Sequence, residues 1–410
     1  MTESDKKTLR HPCYSGGCKN GRIHLPVAPK CNIQCKYCNR KFDCVNESRP
    51  GVTSDVLTPE QAVERFIKAR AVMPNIEVVG IAGPGDALAN FEQTADTFRK
   101  IRAVDPDVVF CLSTNGLYLD RYADELVDLG VTHITVTLNT IDPEIGARIY
   151  KTVSYDGVTY TGLQGASLLL EKQLSGLEKL RDLGVVAKVN TVLIKGVNDS
   201  DIENVAETAS KYGVYIGNVM QLIPAPGSEF ENNPLTSNAE LNIVRKTCGQ
   251  YIKQMYHCQQ CRADAVGLLG SDCSANFRNN ANQNNSIKNT GHTGNFTVSV
   301  TSNDRRIVNQ HFGHADKFYI YTYNDGLIRL KEIREVKKYC EGIDHCGEDG
   351  KSEIITAATD GCDYVLTMRI GEEPRRLIEG VGKKVIASYG YINEEILKIA
   401  VCHETELSVL

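Results

Sequence analysis

The chain has 410 residues, 41% of them hydrophobic and 24% charged, with a net charge of −5. That length suits roughly two or three separately cored domains, and a mildly acidic chain without a long basic run has no nucleic-acid footprint, leaving small molecules and proteins as partners. No apolar stretch approaches the roughly 20 residues of a membrane helix, and MTESDKKTLRHPC lacks a basic-then-apolar signal pattern, so a cytoplasmic protein without membrane contact is expected. Fifteen cysteines in that setting favour metal ligation over disulfides.

In chain order, Cys13 and Cys18 come first, followed by Cys31, Cys35 and Cys38 in APKCNIQCKYCNRKFDC. The C-x3-C-x2-C spacing gives an iron-sulfur cluster three thiolates and leaves its fourth iron open. An open iron can hold S-adenosylmethionine (SAM) by its amino and carboxylate groups, and an electron passed to the sulfonium then cleaves it to a 5'-deoxyadenosyl radical. A zinc knot or closed structural cluster needs four ligands, usually two C-x2-C pairs. The triplet therefore predicts a radical enzyme with Cys31, Cys35 and Cys38 as its catalytic element and Tyr37 packing on adenine. Cys44 follows in the same loop, and Glu47 in CVNE could give a carboxylate oxygen to an iron site.

From Val52 to about Cys261, short β-branched runs alternate with longer amphipathic ones, the pattern of a parallel sheet wrapped by helices. Thr58, Pro59 and Gln61 read as an N-cap, a first-turn proline and a capping-box partner for a helix reaching about Met73. Strands are predicted at 77–83, 108–114, 133–139, 185–194 and 215–223, so the expected fold class is α/β with a partial (βα)6 barrel. Parallel barrels carry chemistry after the C-terminal ends of their strands. Gly83, Pro84, Gly85 and Asp86 fall there, as do Thr114, Asn115, Asn139 and Asn190, and all are candidate SAM-binding residues. Glycines in the first of these loops let backbone carbonyls approach the SAM amino group. Cys111 precedes the second loop, where inert core is the competing reading. Cys258 and Cys261 close the barrel, and with Cys13 and Cys18 they give four thiolates suited to zinc or iron-sulfur. Cys248 and Cys273 carry no assignment.

Residues 276–294 are asparagine-rich and almost free of large apolar side chains, which marks a linker between a barrel domain at 1–275 and a second domain at 295–410. In the second domain, strands are expected near 296–301, 317–323, 327–334 and 363–368, and helices near 350–359 and 392–400. Cys340 and Cys346 form a looser pair without a firm role.

HPCYSGG, HLPVAPKCNIQCKYCNRKFDCVNESRPGV and HCQQCRADAVGLLG together resemble the nitrogenase cofactor-assembly radical SAM family, NifB. The segment after the linker resembles the NifX-type domain that binds cofactor precursors, with Asn309 through His314 matching a motif of those carriers and a ribonuclease H-like fold implied. The resemblance implies a lyase- or transferase-type radical enzyme with three 4Fe-4S clusters. Two of these are fused with a SAM-derived carbon into an eight-iron, carbide-centred precursor. By motif, Cys13, Cys258 and Cys261 would hold one substrate cluster, and Cys44, Cys111 and Glu47 the other. A histidine ligand expected between HPC and the triplet has no direct counterpart in GGCKNGRIH, which leaves Cys18 or His24. Implied partners are iron-sulfur cluster donors, a reductant such as ferredoxin, and downstream carrier or scaffold proteins. Competing readings are a molybdenum-cofactor cyclase-like radical SAM enzyme, from KVNTVLIKGVND, and a non-catalytic iron-sulfur scaffold or carrier.

Overall fold

β-branched runs become strands where the sequence places them, with shifts at their ends. The computed structural model describes residues 3–16, 19–46, 53, 55–258, 260–269, 271–277, 294–303, 305–339 and 351–407. The chain divides into two compact units, Met1–Asn279 and Asn280–Leu410.

In the first unit, six strands run parallel and in sequential order: β1 (Gly21–His24), β2 (Ile76–Ile81), β3 (Val109–Thr114), β4 (Val131–Thr137), β5 (Val186–Leu193) and β6 (Ile216–Gln221). This is the partial barrel. Its first strand is Gly21–His24 rather than the 77–83 run, because a four-residue strand containing Arg22 and His24 shows no apolar alternation to read. Val266–Leu268 pairs antiparallel with β1 and extends that edge of the sheet. Helices cover the outer face, the helix Pro59–Val72 starting at a complete Thr58–Gln61 capping box with Pro59 in its first turn. Phe66, Phe98, Phe110, Ile134 and Leu180 fill the layer between sheet and helices. Each such side chain contributes about 1.5–3 kcal/mol by burial.

Alternation in the strands decides what faces inward. Lys188 and Asn190 sit two residues apart on β5 and Asn218 lies in register with Asn190 on β6; with Cys111 from β3 they line the concave side. The helix Pro12–Ser15 lies against this interior. His11 caps it through Nδ1, which accepts from the Cys13 backbone N–H at 3.3 Å, and a cluster of His11, Tyr14 and His133 rings ties it to β4.

The second unit is a five-stranded sheet in the spatial order Leu327–Glu335, Lys317–Asn324, Asn295–Thr301, Tyr364–Thr367, Lys384–Ala387. The first three are antiparallel and the last two join in parallel, an arrangement consistent with a ribonuclease H-like fold. The fifth strand escapes sequence reading because KVIA is only four residues long and follows an exposed turn. Cys340 and Cys346 lie outside the described residues.

Candidate active site and thiol-lined cavity

The triplet loop is held from both sides. Ile33–Cys35 forms a short strand against Tyr150–Tyr155, and Gln34 Nε2 donates to the carbonyls of Cys35 and Cys38 at 2.9 and 3.0 Å, curling the loop on itself. Two side-chain amides approach its sulfurs, Asn115 Nδ2 at 3.8 Å from Cys31 Sγ and Asn46 Nδ2 at 3.9 Å from Cys35 Sγ. Burial, then the carboxylate of Asp86, pushes the Cys31 thiol up to about 12, and burial raises Cys35 and Cys38 as well. A metal entering here displaces those protons and acquires three thiolates. The donor set therefore suits an iron-sulfur cluster.

The loops after β2 and β3 are joined to this frame. A Cβ on Gly85 would stand 2.2 Å from the Lys30 carbonyl oxygen, so the glycine is required by the backbone leading into Cys31. Asp86 is the hub. Its carboxylate accepts from Thr114 Oγ1 at 3.0 Å, from the Asn115 backbone N–H at 2.6 Å and from the Leu88 and Ala89 backbone N–H groups at 2.9 and 3.0 Å. Gln173, which carries no sequence signal, donates to the carbonyls of Asn115 and Thr137 at 2.9 and 2.8 Å.

Tyr37 is fully buried in an apolar cluster with Ile33, Val45 and Leu117. Its hydroxyl donates to Asn46 Oδ1 and accepts from Asn139 Nδ2 at 2.7 Å, and Asn139 Oδ1 in turn accepts from the Val192 backbone N–H. Asn190 continues the network toward the interior, where Asn218 Nδ2 donates to Asn190 Oδ1 at 3.0 Å and lies 3.4 Å from Cys258 Sγ. A run of amides thus leads from the triplet to the barrel interior.

That interior is a cavity whose lining brings together Cys13, Cys111 and the Cys258–Cys261 pair from three separate parts of the sequence. His24 lines it too. Its Nδ1 lies 3.0 Å from the Arg262 carbonyl, which fixes Nδ1 as the protonated nitrogen and leaves Nε2 on the cavity side as a donor of its lone pair. Gly80 makes room here, because a Cβ would lie 2.9 Å from Cys111 Sγ and 3.0 Å from His24 Cδ2. Arg22 donates to Cys261 Sγ at 2.8 Å and to the carbonyls of Gly267 and Leu268. Burial pushes Cys13 up to about 11 and Cys111 up to about 12. Among the described residues no group of three His, Cys, Asp or Glu side chains is placed to hold a single metal ion.

Cys44 is partly exposed and is not among the residues of the cavity wall; Cys18 and Glu47 lie outside the described residues. Arg22, Asn46, His133, Lys188 and Asn218 belong to these sites, and sequence reasoning passed over them. Lys188 and Asn218 were legible in principle, as polar residues at inward positions of otherwise apolar strands.

Residues 25–209 match the Radical SAM superfamily and residues 295–400 match the Dinitrogenase iron-molybdenum cofactor family. The FeMo cofactor biosynthesis protein NifB of Klebsiella pneumoniae is 42% identical over 404 residues, covering 92% of this chain and 86% of that protein. The protein of the same name from Chlorobaculum tepidum is 40% identical over 394 residues, covering 94% of this chain and 91% of its own length. A solved structure, Streptococcus suis SuiB bound to S-adenosylmethionine, aligns over 57% of this chain and 49% of that one, at 11% identity and a TM-score of 0.42, too loose a likeness to carry an argument.

Proposed function

From the membership of this chain in the NifB family of FeMo cofactor biosynthesis proteins, radical SAM enzymes with a NifX-like C-terminal domain, we propose that it fuses two four-iron four-sulfur clusters and inserts a SAM-derived carbide, giving the eight-iron precursor of the nitrogenase cofactor. The observation that carries this reading is the cavity: four cysteines from three distant segments meet inside the barrel, apart from the triplet, and they suit cluster substrates rather than an organic one.

Cys31, Cys35 and Cys38 would hold the resident cluster, whose chemistry when bound would be reductive cleavage of SAM. The Gly83–Asp86 turn and the Thr114–Asn115 loop, locked together by the Asp86 carboxylate, form the SAM-facing wall beside it. Tyr37 and Asn139 support that wall through the shared hydroxyl contact. Cys13, Cys258 and Cys261 hold one substrate cluster, with His24 Nε2 or Cys18 as its fourth ligand. Cys111, with Cys44 and Glu47, holds the other. The placement of Cys111 in the same wall as Cys13 supports two neighbouring clusters, the arrangement fusion requires. One SAM donates its methyl group to a cluster sulfide, and a second yields the radical that takes hydrogen from that methyl.

His311 and His314, whose rings lie 5.0 Å apart, give the NifX-like domain an imidazole pair for transient holding of product. Cluster donors, a ferredoxin-type reductant and downstream carriers are its partners. No helix among the described residues is long and apolar enough to cross a membrane.

Anaerobic iron and sulfide quantification on reconstituted protein, then product analysis with SAM and a strong reductant, tests the reading. About twelve irons per chain, with both S-adenosylhomocysteine and 5'-deoxyadenosine, is the expected result. Irons for only one or two clusters with 5'-deoxyadenosine alone would overturn it in favour of a simpler radical SAM reaction.

A further inference from the structure

Lys188 lies on β5 with its side chain turned into the thiol-lined cavity, and it is only 8% exposed. Its Nζ stands 5.8 Å from the centroid of the Tyr14 ring. Among the described residues it makes no hydrogen bond or ion pair, and no aspartate or glutamate lines the cavity. An ammonium group withdrawn from water without an anion is strongly unfavourable, so a buried lysine in such a place signals a missing negative partner.

A second group points the same way. His11 is 3% exposed, and its Nδ1 accepts from the Cys13 backbone N–H, which leaves Nε2 carrying the hydrogen. That Nε2 is buried without a partner on the cavity wall, as is the side-chain nitrogen of Gln260; on the acceptor side, Asn218 Oδ1 is unpartnered there as well. The cavity therefore presents one full positive charge and two unmatched N–H donors to whatever fills it. Its guest is anionic.

We propose that Lys188 is the positioning residue that offsets the negative charge of the iron-sulfur substrates, holding two mutually repelling clusters side by side, with His11 Nε2–H as a second donor to cluster sulfide. This rests on the function proposed above. Thiolate-ligated clusters carry net negative charge, and two of them in a low-dielectric cavity repel steeply at short range. Lys188 lines the same cavity as Cys13 and Cys111, the ligands assigned to different clusters, so it stands where one cation serves both. A lysine suits this task because its compact charge offers rotatable donors to sulfides whose positions change as the clusters join.

The test compares Lys188→Met and Lys188→Arg with the parent full-length chain after anaerobic reconstitution. The readouts are iron and sulfide per chain, the rate of iron loss to a chelator, the midpoint potentials of the clusters by spectroscopic redox titration, and KM for SAM. Lys188→Met should lose its cavity iron several-fold faster and shift the cavity clusters to more negative potentials, since removing a cation disfavours the reduced state. Lys188→Arg should stay near the parent, and KM for SAM should not change in either. A Lys188→Met chain with parental iron retention and potentials would overturn the proposal. A raised KM for SAM with unchanged cavity iron would also overturn it, by making Lys188 an anchor for the SAM carboxylate. A parent chain that binds only the triplet's irons would instead defeat the fusion reading and take this proposal with it.

Discussion

The triplet loop and the interior cavity are both rich in cysteine and amide groups, yet their polar atoms find protein partners to different degrees. Around the triplet, Asp86, Thr114, Asn115, Gln34 and Tyr37 each bond to protein groups, giving a frame that is nearly complete, with Asn32 Nδ2 left over in the loop itself. In the cavity, Lys188, His11 Nε2 and Asn218 Oδ1 have no such partners. A closed frame holds its cofactor in one geometry through many turnovers. An incompletely partnered cavity gains most when filled, and it can release a guest whose own shape has changed.

Substitutions can break that contrast or sharpen it. The largest effect belongs to Cys35→Ala, which should reduce 5'-deoxyadenosine formation to background while leaving cavity iron in place. Loss of all iron in that variant would show the two regions to be one metal site. Cys258→Ala should do the converse, lowering iron per chain by one cluster's worth and abolishing the eight-iron product, while SAM cleavage persists; chromatography of SAM products beside an iron assay separates the two. Gly80→Ala pushes a methyl against Cys111 and His24. It should cost about 1–3 kcal/mol in a denaturant melt of the apoprotein and reduce cavity iron, with triplet iron unchanged.

Narrower in its effect, without loss of metal, is Tyr37→Phe. It removes the hydroxyl shared by Asn46 and Asn139 and should destabilise the fold by about 1–3 kcal/mol, because buried amides lose a partner. An unchanged melting temperature would mean that the frame is looser than its hydrogen bonds indicate. Deleting residues 295–410 should change SAM cleavage least of all. Cleavage lost from a still-folded first unit would refute the view that the NifX-like domain only holds product.

The sequence made the parallel barrel and the triplet legible because their signals are local: β-branched runs with loops at regular intervals, and three cysteines within eight residues. The same locality hid the rest. Gly21–His24 is too short and too polar to read as a strand, and Gln173 sits on the buried face of a long helix where a glutamine gives no periodic signal. Tyr37 beside a cysteine suggests an adenine contact, but only the fold reveals that its hydroxyl meets Asn139, about a hundred residues away. Lys188 needs two facts at once, its inward register and the absence of an acid across the cavity, and the second depends on strands far apart in the chain.

His11, Tyr14 and His133 anchor Cys13 to the inside of β4, while Cys258 and Cys261 arrive from beyond the last strand of the barrel. The wall of the cavity is thus closed by segments from the beginning and the end of the first unit, more than two hundred residues apart along the chain. Contacts of such long range cannot form until both segments have been synthesised. A ribosome-bound chain that has emerged only as far as the triplet can present those three thiols, but it has no cavity to fill. Under the function proposed above, the order of synthesis would make the triplet's thiols available before the cavity exists and would defer capture of loose clusters until the whole unit has been made.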